Sequence, residues 1–159
     1  MIREAQPSDA SAIWDIIGPV IRTGETYTID RDISRESALA YWMDGGGHCF
    51  VAEEAGEVLG TYYLKRNQAG GGSHVANCGY MVGEAARGKG IARAMCEHSM
   101  QMARELGFAA MQFNFVVSTN MGAVRLWESL GFETVGRLPD AFDHPKAGYV
   151  DALVMHRKL

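Results

Sequence analysis

The sequence lacks long apolar runs and has few cysteines. No stretch approaches the roughly 18 to 20 consecutive apolar residues of a membrane helix, so we expect no membrane partner. The first residues, Met-Ile-Arg-Glu, are unlike a secretion signal. Three cysteines, Cys49, Cys78 and Cys96, are an odd number without a Cys-x-x-Cys pair. That pattern disfavours a disulfide framework and a zinc knuckle, and we expect no bound metal and a reducing cytoplasm.

A surplus of positive charge is also missing. Fifteen Lys and Arg against 19 Asp and Glu give a net charge of -4, which argues against a non-specific nucleic-acid partner but permits one local basic site. With 159 residues, 47% of them apolar, the chain can bury a sizeable core. It contains no linker and no internal repeat. We therefore expect a single domain over residues 1–159.

Apolar periodicity and turn residues predict the element order β-α-α-β-β-β-α-β-α-β-β, a mixed α/β domain. Gly79 lies inside a predicted strand and indicates a bulge or a close backbone approach. Three consecutive glycines predict a mobile loop over residues 67–73. The predicted strands cover residues 2–5, 49–53, 58–65, 74–83, 110–117, 132–138 and 149–156, and the predicted helices cover 7–24, 34–43, 91–106 and 118–130.

The segment Arg87-Gly88-Lys89-Gly90 lies between a predicted strand and a predicted helix. Main-chain N–H groups at such a helix start can converge on an anion, and the helix dipole assists them. The two glycines let the backbone approach phosphate oxygens, while Arg87 and Lys89 add local positive charge. The spacing matches neither the dinucleotide fingerprint nor a Walker loop. Without further motifs, an ordinary turn with solvated charges explains it as well.

Two motifs resemble the GCN5-related N-acetyltransferase family. Arg87-x-x-Gly90-x-Ala92 is similar to its Arg/Gln-x-x-Gly-x-Gly/Ala signature, and residues 120–132 are similar to its Asn-x-x-Ala-x-x-Leu-Tyr-x-x-x-Gly-Phe segment. The resemblance implies the acyl-CoA N-acyltransferase fold, with a central mixed, mostly antiparallel sheet, splayed strands and flanking helices. It also implies acetyl-CoA as a cosubstrate.

The resemblance further implies which residues bind that cosubstrate. The pyrophosphate would lie on Arg87, Gly88, Lys89, Gly90, Ile91 and Ala92. Free main-chain groups of Tyr80 and Val82 would bind the pantetheine arm where the strands splay. Asn120 would contact the cofactor near its reactive end and act in catalysis. It could equally be a plain helix cap, and both roles can coexist.

The implied reaction is direct attack of a neutral amine on the thioester, which needs a proton acceptor, oxyanion stabilisation and a proton for the leaving thiolate. Many family members use a tyrosine as the acid, but this chain has Trp127, whose indole N–H is not a useful acid. Ala76 is the counterpart of a glutamate that some members carry upstream. We assign neither role, and water or another residue could serve.

Two asparagines are candidate catalytic and substrate-binding residues. Residues 73–80 with Phe113-Asn114 resemble the fungal azetidine-2-carboxylate (proline-analogue) N-acetyltransferases, which implies that Asn77 and Asn114 bind substrate or steady the reacting carbonyl. An amide can donate to an oxyanion or a carboxylate without a tuned pKa. The alternative is that both amides close gaps in the sheet. Alternation places Met111, Phe113 and Phe115 on the other face of Asn114's strand.

Glu25, Tyr27 and Thr28 lie between the first two helices, a connection that lines the acceptor pocket in this family. Glu25 and Tyr27 are thus candidate substrate-binding residues, and a solvated loop is the alternative. Residues 140–148 connect the last two predicted strands and are expected to close over the acceptor. His144 and Tyr149 are candidate proton-transfer groups in that segment.

The hypothesis from the sequence is an N-acetyltransferase acting on a small-molecule amine, a free amino acid or an analogue of one. A phosphinothricin-type enzyme, a protein N-terminal acetyltransferase, a non-catalytic acyl-CoA sensor and a dimeric scaffold are the alternatives. A homodimer is expected because homodimers are common among members of the family.

Overall fold

Seven strands form one sheet in the order β1-β2-β3-β4-β5-β7-β6, in a computed structural model that describes residues 1–159. The strands are β1 (Ile2–Glu4), β2 (His48–Glu54), β3 (Glu57–Arg66), β4 (Val75–Val82), β5 (Ala110–Val117), β6 (Glu133–His144) and β7 (Gly148–Lys158). The helices are α1 (Ala10–Thr23), α2 (Arg35–Met43), α3 (Ile91–Glu105) and α4 (Met121–Ser129). The predicted mixed α/β fold class is confirmed. No helix is both long and apolar enough to span a membrane.

The helices cover the two faces of the sheet, and each face has its own apolar cluster. On one face, Ile13 and Ile17 of α1 and Trp42 of α2 are buried against Val51 and Met81 of the sheet. This follows from the helical spacing of the isoleucines, which places them on one side of α1. Gly24 ends α1 in the left-handed conformation at φ 66°, as helix C-terminal glycines do.

The other face packs against α3 and α4. Met95, Cys96 and Met100 of α3 and Trp127 of α4 are buried together with strand residues such as Tyr62. Because side chains alternate along a strand, β2, β3 and β4 contribute to both clusters. The sheet is therefore buried on both faces in its centre, where the candidate site lies.

Strands β4 and β5 are parallel and separate soon after they meet. Only two residue pairs join them, Val75 with Ala110 and Ala76 with Met111. Beyond these pairs the strands diverge, so the predicted splay is confirmed and a gap opens through the centre of the sheet. This gap positions the candidate site.

Of the two features predicted at Gly79, a bulge or a close backbone approach, the structure shows a close approach and no bulge. The register of β3 with β4 is unbroken, and Gly79 instead allows a close approach, since a Cβ there would lie 2.7 Å from Cε1 of Tyr63. A register shift typical of a bulge does occur in β5, between Phe113, which pairs with Met155, and Val116, which pairs with Leu153. Three steps along β5 thus match two along β7, and such an extra residue bends a strand locally.

The connection predicted over residues 140–148 is mostly strand. Strands β6 and β7 pair as far as His144 with Gly148, so only residues 145–147 form the turn. Cross-strand pairing therefore continues into a segment whose proline and glycine are typical of a loop. Within the predicted loop 67–73, residues Gly70–Gly72 form one turn of 3-10 helix.

Candidate active site

Two cavities lie on opposite faces of the sheet and meet at the gap between β4 and β5. The front cavity, of about 330 Å³, is lined by the loop after α1, by α2 and by β3, β4 and β5. The back cavity, of about 560 Å³, is lined by β4, the turn before α3, α3 and α4. Tyr80, Ala123 and Trp127 line both cavities. Ligands entering from the two faces can therefore meet at these three residues.

The turn before α3 forms an open cradle in the back cavity. Gly88 and Gly90 have φ values of 78° and 79°, and a Cβ at either position would meet no atom within 4 Å. The first main-chain hydrogen bond of α3 runs from the N–H of Ala94 to the carbonyl of Gly90. The N–H groups of Ile91, Ala92 and Arg93 consequently have no partner within the helix. Such a helix start suits a phosphate or diphosphate group.

The charged side chains that line the back cavity are both positive, although Arg93 also pairs with Glu97 of α3 at 3.7 Å. Arg87 and Arg93 are its charged side chains, and no carboxylate lines it. Arg93 was missed by the sequence analysis, which stopped at the end of the signature, although the first turn of a helix that begins at an anion site is an informative position. Its guanidinium also donates to the Ser129 hydroxyl at 2.7 Å, which fixes it against the end of α4.

Most residues predicted to bind the cofactor line this cavity, namely Tyr80, Val82, Arg87, Gly88, Gly90, Ile91 and Ala92. Lys89, which was also predicted to bind the pyrophosphate, is exposed and does not line the cavity. The binding roles themselves stay predictions.

The main-chain groups of Tyr80 are not free, contrary to the prediction. The hydroxyl of Tyr27 donates to the carbonyl of Tyr80 at 2.7 Å and accepts from its N–H at 2.9 Å. Tyr27 thus occupies the edge of β4 where a neighbouring strand would pair. Main-chain groups alternate in direction along an antiparallel strand, so those of Cys78 and Val82 face the same gap. Val82 remains a candidate for the pantetheine contact.

An aromatic cluster lies where the two cavities meet. Trp127 is buried, and its ring centroid lies 5.0 Å from that of Tyr80 and 5.1 Å from that of Phe113. The hydroxyl of Tyr80 is hydrogen-bonded to Ser99 at 2.7 Å, and burial raises the pKa of Tyr80 well above its ordinary value. Tyr80 therefore stays a neutral phenol at physiological pH.

Asn77, Asn114 and Asn120 all line the front cavity. The side chain of Asn77 donates to the carbonyl of Gln112 at 3.0 Å, one residue beyond the last paired position of β4 and β5. It therefore bridges the strands where they part, as the structural alternative proposed. Its second N–H and its carbonyl oxygen have no partner in the protein, so a ligand can still use them.

The two other asparagines differ in how they are held. The amide of Asn114 donates to Asn67 at 2.6 Å and accepts from Gln112 at 2.9 Å, so it belongs to a chain of three amides on the cavity rim. Asn120 occupies the N-cap position of α4 but makes no side-chain cap hydrogen bond. The predicted side-chain cap is therefore wrong, and the Asn120 amide is available to the cavity.

Position 76 is not part of the cleft. Ala76 has no exposed surface and packs into the cluster below α3, so a glutamate at this position would not reach the front cavity. The cavity residue next to it on β4 is Asn77. An amide therefore stands at the point of β4 that faces the gap. The front cavity is lined by no Asp, Glu or His.

Cys78 also lines the front cavity, with its thiol almost fully buried. Burial raises its pKa to about 12. The thiolate is the nucleophilic form of cysteine, and at physiological pH this side chain remains a thiol. Cys78 is thus a wall residue rather than an activated nucleophile.

Glu25 does not line the front cavity, although Tyr27 and Thr28 do. Its carboxylate pairs with the ammonium of Lys146 at 2.7 Å, and this hydrogen bond holds the pKa of Glu25 below its ordinary value. The pair joins the loop after α1 to the turn of the β6–β7 hairpin. Glu25 is therefore corrected from a substrate contact to a residue that holds this loop.

The two proton-transfer candidates of the hairpin do not reach the cavities. Nδ1 of His144 accepts from the N–H groups of Lys146 and Ala147, each at 3.1 Å, and so closes the turn. The side chain of Tyr149 is 72% exposed. Neither residue lines the front or the back cavity, because the segment that was expected to fold over the site instead continues the sheet.

Lys65 is a front-cavity residue that sequence reasoning missed. It lies on β3 directly opposite Asn77 on β4. The alternation of β3 indicates that Tyr63 and Lys65 share a face. Only the register with β4, which the sequence does not reveal, places that face beside Asn77.

Comparison with known proteins agrees with this geometry. The family model described as the acetyltransferase (GNAT) family matches residues 15–132. N-acetyltransferase aca1 of Schizosaccharomyces pombe is 32% identical over 161 residues, an alignment that covers 91% of this chain and 77% of that protein. The structure of a GCN5-related N-acetyltransferase from Kribbella flavida is 44% identical, has a TM-score of 0.96 and is matched over 100% of this chain and 97% of its own.

A further solved structure is a GNAT superfamily phosphinothricin acetyltransferase from Sinorhizobium meliloti in complex with acetyl-CoA. It is 25% identical with a TM-score of 0.86, and the match covers 100% of this chain and 88% of that one. The family match spans most of the chain and includes both the turn before α3 and helix α4. The chain therefore belongs to the GNAT family of acetyltransferases.

Proposed function

We propose that this acyltransferase transfers the acetyl group of acetyl-CoA to the amine of a small molecule, a free amino acid or an amino-acid analogue, by direct attack in a ternary complex. One observation carries the proposal. The back cavity suits a phosphorylated cofactor, the front cavity suits a small polar molecule, and the two meet at Tyr80, Ala123 and Trp127.

The back cavity fits the cofactor by its own chemistry. Its open glycine cradle, the unpaired N–H groups at the start of α3 and the charges of Arg87 and Arg93 would hold a diphosphate. The main-chain groups of Val82 would bind the pantetheine amides. The S. meliloti relative contains acetyl-CoA, which supports this assignment. Bound acetyl-CoA supplies the thioester carbonyl that the amine attacks.

In the front cavity, this chain's amides would position the reaction. The free N–H of Asn77 would donate to the carbonyl oxygen as charge develops there, and Asn120 would contact the reacting end of the cofactor. Asn114 would hold the acceptor at the rim. With no carboxylate or imidazole in the lining, the proton of the amine would pass to water. Because the CoA thiolate is only a weak base, it can leave without a dedicated proton donor.

A free amino acid suits the size of the front cavity better than a peptide does. The volume of the front cavity, about 330 Å³, is at the small end of the range for ligand sites. The S. meliloti relative is a phosphinothricin acetyltransferase, and phosphinothricin is an amino-acid analogue. The similarity of residues 73–80 to the fungal azetidine-2-carboxylate enzymes, with Asn77 and Asn114 on one cavity, favours cyclic imino acids among the candidates.

The test is a thiol-release assay with acetyl-CoA over a panel of imino acids, neutral amino acids, phosphinothricin, polyamines and N-terminal peptides. We expect turnover of imino or neutral amino acids. Turnover of peptides alone would instead indicate a protein N-terminal acetyltransferase. Tight CoA binding without turnover of any amine would indicate a sensor.

Variants Asn77→Ala and Asn114→Ala test the amide roles. We expect kcat to fall by about 100-fold for Asn77→Ala, the size found when one donor to a developing oxyanion is removed, with CoA affinity unchanged. Asn114→Ala is expected to raise KM for the acceptor. If only the melting temperature falls while kcat and KM stay the same, both amides are structural. Asn67→Ala, which removes the outer partner of Asn114, is the matched control and is expected to change kcat little.

The homodimer and the cytoplasmic location expected from the sequence also remain predictions. Light scattering on the eluate of a size-exclusion column, with 17.4 kDa expected for one chain, measures the first. Localisation of a tagged chain measures the second.

A further inference from the structure

The front cavity contains one charged side chain. Among its lining residues, Lys65 alone is ionic, and the remaining polar side-chain groups are amides, hydroxyls, one thiol and one indole N–H. This is unusual for a chain with 19 acidic residues and a net charge of -4. The cavity is therefore a local positive site in an acidic protein, and a small anionic group is attracted to it.

The geometry places this charge beside the reacting centre. Lys65 and Asn77 are directly opposite each other on β3 and β4, so their side chains leave the same face of the sheet with Cβ atoms about 5 Å apart. Asn77 faces the gap that joins the two cavities. A molecule whose amine lies at the gap would thus have its next polar group within reach of Lys65.

The ammonium of Lys65 is held in place without being neutralised. Its Nζ lies 5.2 Å from the ring centroid of Tyr41 and 5.0 Å from that of Tyr63, within the range of cation–π attraction. None of the six ion pairs in the protein involves Lys65. The two rings fix the position of the ammonium but supply no anion, so its N–H groups remain available to a ligand.

We propose that Lys65 is the specificity-determining residue that binds the carboxylate of the acceptor, so that the substrates are α-amino or α-imino monocarboxylates without a second positive charge. This inference rests on the proposed function and identifies the residue that discriminates between amine substrates. Polyamines and other cationic amines lack the carboxylate and are repelled by Lys65. In an α-amino or imino acid, the carboxylate is one carbon from the amine, which matches the adjacent positions of Lys65 and Asn77.

The test compares each accepted amino acid with its own primary amide, which keeps the amine and the side chain but removes the negative charge. We expect the wild-type enzyme to prefer the acid in kcat/KM by about 10- to 100-fold, the range of one charge-assisted hydrogen bond. Lys65→Met, which keeps the aliphatic stem against the tyrosines, should remove that preference by raising KM for the acid. It should leave the amide and the Kd for CoA unchanged, and Lys65→Arg should restore part of the preference.

Arg66→Met is the matched control. Arg66 is the next residue on β3, exposed and pointing to the opposite face, so this variant removes the same charge without touching the cavity. It should leave the acid-to-amide ratio unchanged. An equal loss on acid and amide in Lys65→Met, or a wild-type enzyme indifferent to the carboxylate, would overturn the proposal.

A second readout separates this proposal from the proposed function. If no amine is turned over, calorimetric titration of the same acids and amides into the CoA-loaded protein still measures carboxylate recognition. Binding of acids that is lost in Lys65→Met supports the role of Lys65 even then. Equal binding by wild type and variant, or no binding of acids to the wild type, overturns it.

Discussion

The variant Gly90→Val tests the anion cradle at the start of α3. Gly90 is the N-cap of α3, with φ 79° and ψ 9°, and its position faces open space. A Cβ there would meet no atom within 4 Å in the free protein. The valine side chain would instead stand in the volume that a diphosphate needs, and its β-branched Cβ would disfavour the left-handed backbone conformation.

The magnitudes follow from these two effects. A non-glycine residue in the left-handed region costs about 1–2 kcal/mol, which lowers the melting temperature of a domain of this size by roughly 2–8 °C. Loss of two hydrogen bonds to a charged phosphate, at about 1.5 kcal/mol or more each, weakens CoA binding by at least about 100-fold. Gly107→Val is the control, because Gly107 has φ 88° and open space beyond the C-terminal end of α3.

Isothermal calorimetry with CoA and thermal unfolding measure the two effects separately. We expect both variants to unfold at a similarly reduced temperature, while only Gly90→Val loses affinity. A folded Gly90→Val protein that binds CoA with wild-type affinity would refute the cradle. So would an equal loss of affinity in Gly107→Val, because the effect would then come from strain in α3.

Two further variants test the aromatic cluster where the cavities meet. Tyr27→Phe leaves the N–H and carbonyl of Tyr80 without their hydroxyl partner, so we expect the free energy of unfolding by denaturant to fall by about 2 kcal/mol. CoA should stabilise this variant as much as it stabilises the wild type. A larger stabilisation by CoA in the variant would show that the cofactor binds those main-chain groups. Trp127→Phe removes packing against Tyr80 and Phe113 but no acid, so we expect about 1–2 kcal/mol of destabilisation and a kcat within about threefold of wild type; a tenfold slower enzyme with intact CoA affinity would contradict this.

The fold was predictable because local signals and their order agree. Isoleucines at helical spacing define α1, and Gly88 and Gly90 mark the start of α3. The resemblance then supplied the splay between β4 and β5, which no local pattern contains. The same kind of resemblance, to the fungal azetidine-2-carboxylate enzymes, singled out Asn77 and Asn114.

Register was the part that the sequence could not provide. Alternation predicted Phe115 on the same face as Met111 and Phe113, but the bulge shifts the pattern, and Val116 joins the core instead. A period of two cannot reveal an inserted residue. The contact of Tyr27 with Tyr80 spans 53 positions of sequence and depends on the docking of a loop.

Loop composition misled in the β6–β7 hairpin. Pro145 and Gly148 indicate a turn, and they do bracket one, but the flanking polar residues belong to strands. Pairing with β7 determines their conformation more than their own preferences do. Residues 140–148, which were expected to close over the acceptor, therefore lie mostly in the sheet.

Because the gap passes through the sheet, the active site has two separate entrances, one on each face. CoA would enter and leave by the face of α3 and α4, and the amine by the face of α1 and α2, so neither molecule stands in the path of the other. Geometry therefore imposes no compulsory order of arrival or departure. Double-reciprocal plots of the initial rate with both substrates varied are expected to intersect. Each product is expected to be a competitive inhibitor only against the substrate that binds in the same cavity.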